Sequence, residues 1–296
     1  MASLGSDVPL LPLAADRMHH ADPAMVDTIL GYVADRLTSG EVPLDGLADR
    51  EHLDQVLAGL ITEGPHAFEQ VLDVYVNHLA LTVLSADSPR MFAFIPSAPT
   101  KAALLFDMVV SAASLQGISW FEAAGAVMAE GQALRALADI AGMPATAGGV
   151  FVSGGSAANL SALVVARETR RQSRRAAGMP DVPLRVVVSD QAHSSIKNTL
   201  SILDVDPLVV STSDHRFTGE ALQAALDADS DPSSIVAVVA TSGTTNAGII
   251  DDLRGIGTIA RERGLWFHVD GAYGGAGLFA PSVRHHYDGI ELVDSF

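Results

Sequence analysis

The sequence has no cysteine, which excludes disulfides, thiolate metal sites and a thiol nucleophile. Positive charge is scarce as well: 18 Lys and Arg stand against 35 Asp and Glu, a formal net charge of -17. So acidic a surface repels polyanions, and neither nucleic acid nor an anionic membrane is an expected partner. No stretch reaches the roughly 18 uncharged apolar residues of a membrane helix. The run AALLFDMVV is short and carries Asp107. The opening MASLGSDVPLLPL lacks the positive n-region of a signal peptide. A soluble cytoplasmic protein is the expectation, with no metal assigned. Internal repeats and low-complexity linkers are also missing.

What is present can bury a large core: 296 residues, 48% of them hydrophobic, fit one big domain with an appendage. Residues 1–85 read as an N-terminal helical segment. In DPAMVDTILGYVADRL an Asp can cap, a Pro sits just inside the start, and Met25, Ile29, Leu30 and Val33 repeat at helical spacing. HAFEQVLDVYVNHLALTVL continues the pattern. Residues 86–296 read as a large domain. It opens on SPRMFAFIPSAPT, an apolar loop broken by three prolines, followed by helical stretches near 101–116 and 121–141.

From about residue 148 the rhythm changes. Short β-branched runs (GVFVS, LRVVVSD, PLVVSTS, SIVAVVATSG, LWFHVDG) alternate with helical patterns such as NLSALVVARETRRQ, TGEALQAALDAD and LRGIGTIARER. This alternation predicts βαβ units: an α/β domain with a mostly parallel sheet and helices on both faces. The five arginines of RETRRQSRR fall at a helix end and read as a solvated face. GIGTIA matches G-x-G-x-x-A but lies within a helical pattern before a strand, the opposite of the dinucleotide-binding context.

Ligands of parallel α/β sheets bind at the carboxyl ends of strands, and four such ends are unusual. FVSGGSAANL places Gly154, Gly155 and Ser156 at a strand-to-helix turn; this is either a phosphate cradle on a helix N-terminus or a tight turn capped by Ser156. His193 follows another strand just before a helix that Ser194 or Ser195 can cap, in a structural or a functional role. Thr241, Ser242, Thr244 and Thr245 crowd a third end, as a ligand contact or a plain turn. At the fourth, the period of a strand puts His268 and Asp270 on one side. A buried carboxylate needs a partner, and Asp270 can find it in an arginine, a helix N-terminus or a protonated heterocyclic nitrogen.

A phosphate nest, an imidazole, hydroxyls and a carboxylate match the needs of pyridoxal 5'-phosphate. The ordered set GGVFVSGGSAANLSALVVAR, SDQAHSSIKNTL, ATSGTTNAGIIDDL and FHVDGAYGG resembles the group II pyridoxal-phosphate-dependent amino-acid decarboxylases. That family includes the aromatic-L-amino-acid, histidine, glutamate and 2,4-diaminobutyrate decarboxylases. The likeness spans nearly the whole chain, SPRMFAFIPSAPT included. It implies a fold-type I large domain, pyridoxal 5'-phosphate as cofactor, an L-amino acid as substrate, and a homodimer. It further implies that Gly154, Gly155 and Ser156 hold the phosphate, His193 stacks on the ring, and Thr244 makes a polar contact near it. Asp270 would pair with the pyridine nitrogen and Ala272 pack on the face opposite His193. His193 and Asp270 would be the catalytic residues, and Phe94, Ile95, Pro96 and Ser97 would line the substrate pocket. The apolar Phe94 and Ile95, with Trp120, lean toward an aromatic or aliphatic substrate.

The Schiff-base lysine of the family has no match. It follows the Asp270-type strand by some thirty residues, whereas this chain has only Lys101 and Lys197, both read as surface residues. The expectation is therefore an incomplete large domain: a fragment, one half of a split enzyme completed by a C-terminal partner chain, or a natural truncation. The alternatives to decarboxylation are another fold-type I lyase reaction and a catalytically silent cofactor-binding or interaction subunit.

Overall fold

The computed structural model describes residues 21–40, 42–44, 46 and 49–296. The reading of MASLGSDVPLLPL lies outside them. The chain divides into two compact units, Met1–Ser114 and Leu115–Phe296. Residues 86–114 of the expected large domain belong to the first of these.

The first unit is helical where described: α1 (Pro23–Thr38), α2 (Arg50–Leu57), α3 (Phe68–Val74) and α4 (Lys101–Ala112). The expected start of α1 holds, because Asp22 accepts a hydrogen bond from the Ala24 amide at 2.9 Å and Pro23 occupies the first helical turn. Past Val74 the helix loosens into one π turn and one 3-10 turn ending at Thr82.

The second unit holds α5 (Trp120–Ile140), α6 (Gly155–Ala176), β1 (Arg185–Ser189), α7 (Ser194–Leu203), β2 (Asp206–Val210), α8 (Gly219–Ala228), β3 (Ile235–Thr241), α9 (Leu253–Arg263) and β4 (Trp266–Asp270). The four strands pair in parallel in the order β2-β1-β3-β4. The sheet is covered on both faces, as the continuous apolar strands predict. On one face Val187, Val238, Ala240, Phe267 and Val269 pack with Leu222 and Leu226 of α8 and Leu253, Ile256 and Ala260 of α9. On the other, Val186, Val188, Val236 and Val239 pack with Leu163 of α6 and Ile196, Leu200 and Leu203 of α7. Phe267 and Val269 therefore point toward α9, and the alternation of β4 sends His268 and Asp270 to the α6 side.

Three expectations need correction. GVFVS is not a strand: no described strand pairs with it, and Val150, Phe151 and Val152 stay exposed. The arginine run is not a uniformly solvated face either. Arg174 is buried, donating to the carbonyls of Ser233 and Pro180, and Arg167 donates to Leu203 O at 2.8 Å, so both tie α6 to neighbouring loops. Finally, Ser194 and Ser195 do not cap α7, because His193 does. GIGTIA does lie inside α9, where it cannot serve as a dinucleotide loop.

Asp251 joins β3 to the loop before α8. Its two oxygens accept from the amides of Phe217 at 2.9 Å and Thr241 at 2.7 Å, and burial pushes its carboxyl up to about 6 against those stabilising donors. The folded state thus binds this proton more tightly than the unfolded chain, which titrates near 3.8. The Asp251 contribution to stability is fullest below about pH 4 and declines until about pH 6, by an amount of order 2–3 kcal/mol. Urea titrations should show wild type losing about that much relative to Asp251→Asn between pH 4 and pH 7. A pH-independent difference would contradict this.

Candidate functional site

The turn into α6 depends on Gly154. Its φ of +140° and ψ of 171° lie in a region open almost only to glycine, and a Cβ there would meet open space. Gly155 is needed for closeness: a Cβ would come 2.8 Å from the Ala272 Cβ, so the N-terminus of α6 sits directly against the loop after β4. Ser156 does not cap the helix, since the N-cap is Gly154 and no side chain caps it. Its hydroxyl is exposed and makes no hydrogen bond among the described residues. The first intrahelical bonds run from Ala157 and Ala158 to Gly154 O, which leaves the Gly155 and Ser156 amides ahead of the ladder. Free amides, an unengaged hydroxyl and the positive end of a 22-residue helix form a site for an anion.

Asp270 ends β4, 8% exposed, and forms no ion pair among the described residues. Its Oδ1 accepts from the Ala272 amide at 3.1 Å and its Oδ2 from Asn159 Nδ2 at 2.9 Å. Neither donor is charged. A carboxylate has about four acceptor sites, so capacity for a further donor remains.

Around this acid runs a buried polar chain. Asn159, on the inward face of α6 one turn before Leu163, also donates from Nδ2 to Ser195 Oγ at 3.0 Å, while its Oδ1 lies 3.0 Å from His268 Nε2. His268 Nδ1 lies 2.9 Å from Ser295 Oγ, which accepts from Trp266 Nε1 at 2.8 Å. Ser195 Oγ lies 2.9 Å from His193 Nδ1, and that nitrogen also accepts from the Ser195 amide at 3.2 Å.

These partners fix the protons. Asn159 Oδ1 can only accept, so His268 donates from Nε2; the neutral ring then accepts at Nδ1 from the Ser295 hydroxyl at 2.9 Å rather than donating to the Ser295 carbonyl at 3.3 Å, which already accepts from the Val269 amide. Ser195 receives from Asn159 and passes its own proton to His193 Nδ1, which puts the His193 proton on Nε2. Burial holds His268 neutral, pushing its pKa down to about 4 despite the opposing pull of Asp270. Every buried donor of the chain then meets an acceptor, as buried polar groups require, while the Nε2–H of the exposed His193 has no acceptor among the described residues.

Thr244 is buried in the turn after β3, its Oγ1 accepting from the Ile249 amide at 3.2 Å; it shapes its own turn and still has a hydroxyl proton to give. The adjoining strand ends are in register, Thr241 opposite Asp270. The structure thus gathers Gly155, His193, Asp270 and Ala272 around α6, with Ser156 on its first turn. Phe94, Ile95, Pro96 and Ser97 belong to the first unit, where they form an exposed loop with positive φ at Phe94 and Ile95. Sequence reasoning missed Asn159, Ser295 and the linking part of Ser195. The one available signal was a polar residue in register with the apolar stripe of α6, at Asn159 before Leu163 and Ala166. An apolar cavity of about 300 Å³ behind Gly271 and Gly275 includes none of the expected site residues.

Comparison with known proteins bears on the family and the fold. The model of the pyridoxal-dependent decarboxylase conserved domain matches residues 51–296. The chain is 32% identical to the aromatic-L-amino-acid decarboxylase of Cavia porcellus over 92% of its own length and 59% of that protein. It is 29% identical to the phenylacetaldehyde synthase of Arabidopsis thaliana, over 99% of its length and 61% of that protein. The chain thus spans about three fifths of the length of these curated relatives. The crystal structure of mouse CSAD superposes with a TM-score of 0.82 at 28% identity, covering 96% of this chain and 60% of that one. The Oryza sativa TDC with PLP and tryptamine gives 0.76 at 27%, covering 96% and 63%.

Proposed function

The chain belongs to the pyridoxal-dependent decarboxylase family, and from that premise we propose that it binds pyridoxal 5'-phosphate at the ends of β1, β3 and β4 to decarboxylate an L-amino acid. The observation that carries the site is Asp270: a buried carboxylate, held among the described residues by neutral N–H donors alone, at the end of β4 beside an anion-ready helix N-terminus.

The residues fit the cofactor. The amides of Gly155 and Ser156, with the Ser156 hydroxyl, would hold its phosphate; Gly154 leaves open space where a side chain would intrude. Asp270 would hold a proton on the ring nitrogen, and His193 and Ala272 would cover the ring faces. Thr244 would offer its hydroxyl proton near the ring. When bound, the cofactor supplies an electron sink for the pair released as the α-carboxylate leaves as CO2. Asp270 serves this by keeping a negative charge fixed in a dry site, where such preorganisation costs no rearrangement during reaction. His193, with its proton on Nε2, can present a donor to a substrate carboxylate.

Phe94, Ile95, Pro96 and Ser97 would line the substrate pocket, and their apolar character favours an aromatic or aliphatic amino acid. The reading includes a cytoplasmic homodimer. Among the described residues no helix is long and apolar enough to cross a membrane. We assign the Schiff-base role to neither lysine: Lys101 pairs with Asp87 at 3.1 Å, and Lys197 is exposed on α7.

Titration of the protein with pyridoxal 5'-phosphate, followed by absorbance and by CO2 release from a panel of L-amino acids, tests the reading. Saturable binding is expected, with CO2 released fastest from aromatic substrates. Borohydride reduction followed by peptide mapping should find no label on Lys101 or Lys197. Absence of binding by the folded protein would overturn the site. One relative is named an aldehyde synthase, so the products are to be identified as amine or aldehyde.

A further inference from the structure

Asn159 lies on α6 one turn beyond Gly155 and Ser156, and every polar atom of its side chain is used. One hydrogen goes to Asp270 Oδ2, the other to Ser195 Oγ, and the oxygen receives His268 Nε2. A leucine of similar size would fit the apolar stripe that includes Leu163 and Ala166. A buried amide at this position is costly unless all three bonds form. Its two donor bonds also lead to the two groups meant to meet the cofactor ring. One ends on Asp270. The other passes through Ser195, itself only 5% exposed, to His193 Nδ1.

We propose that Asn159 is a positioning residue that orients the Asp270 carboxylate and, through Ser195, fixes the His193 tautomer, with His268 bracing the amide oxygen. The inference rests on the reading of Asp270 as partner of the ring nitrogen. With Oδ1 held by the Ala272 amide and Oδ2 by Asn159, the carboxylate cannot rotate, and its unfilled acceptor sites keep one direction. Asp270 decides which end of Asn159 is which. Its carboxylate can only accept, so the NH2 group faces it and Ser195, and the amide oxygen is left to receive His268 Nε2. Ser295 and Trp266 hold that imidazole in turn.

The test begins with unmodified protein. Long-range 1H–15N spectra of the histidines should show His193 and His268 both neutral with the proton on Nε2. A proton on Nδ1 of either would overturn the wiring without any variant. The second arm is Asn159→Asp, nearly isosteric, which removes the donor to Asp270 and sets a second carboxylate beside it, so that the pair shares a proton. With ring-15N-labelled pyridoxal 5'-phosphate, wild type should show a protonated ring nitrogen and this variant an unprotonated one. By analogy with outer-shell partners of metal ligands, cofactor affinity should fall by about 10-fold or more. The third arm is Ser195→Ala, which should release the His193 tautomer while leaving the ring nitrogen protonated. Ring protonation and histidine spectra unchanged in Asn159→Asp would sink the inference while leaving the Asp270 reading intact. An unprotonated ring nitrogen in wild type would sink the reading itself.

Discussion

Asp270→Ala should lower turnover by about 10³-fold while the protein stays folded. Removing one fixed group that meets charge developing in a transition state costs about 10²–10³ in rate, and in the proposed role the lost group would also hold the proton that makes the ring an electron sink. Structural damage should be modest. Asp270 is anchored by two neutral donors rather than an ion pair, so its loss orphans the Asn159 amide and the Ala272 N–H. That costs of order 1–3 kcal/mol, against the 5–15 kcal/mol that stabilises a typical domain. Circular dichroism and melting should therefore report a folded variant, and steady-state assays a loss mainly in kcat. A folded variant retaining more than a tenth of wild-type turnover would contradict the role given to this acid.

Phe267→Ala should have the largest effect on stability, about 3–5 kcal/mol. Phe267 is 1% exposed in β4 and packs in the layer formed with α8 and α9. Its neighbours His268 and Asp270 face α6, so a cavity here weakens the strand that carries the acid without touching the acid's own partners. At a temperature where the variant is still folded, cofactor affinity should stay within a few-fold of wild type. Urea unfolding reads the first quantity and titration with pyridoxal 5'-phosphate the second. A loss below about 1 kcal/mol would mean the core is less tightly packed than described.

Most of the α/β framework was legible because local pattern determines it. β3 and β4 read as continuous apolar strands since both faces of the sheet are covered, and the strand period of two is enough to put His268 and Asp270 on one side of β4. GVFVS failed because β-branched content asks for extended backbone but cannot supply a pairing partner. The serines that open α7 were natural caps by residue type; the histidine ring reached the Ser195 amide first. Asn159 was illegible for a further reason. A polar residue in a helical stripe marks a core site, but its partners lie 111 and 109 residues away, and no spacing rule reaches so far. The local motifs therefore marked the strand-end groups, while the network that joins them emerged only once the sheet brought distant elements together.

A crystal structure of the protein with pyridoxal 5'-phosphate tests the central claim most directly. The account predicts the ring nitrogen within hydrogen-bond distance of Asp270, the phosphate on the Gly155 and Ser156 amides, and the ring between His193 and Ala272. A cofactor seated elsewhere, or bound with its nitrogen turned away from Asp270, would contradict it.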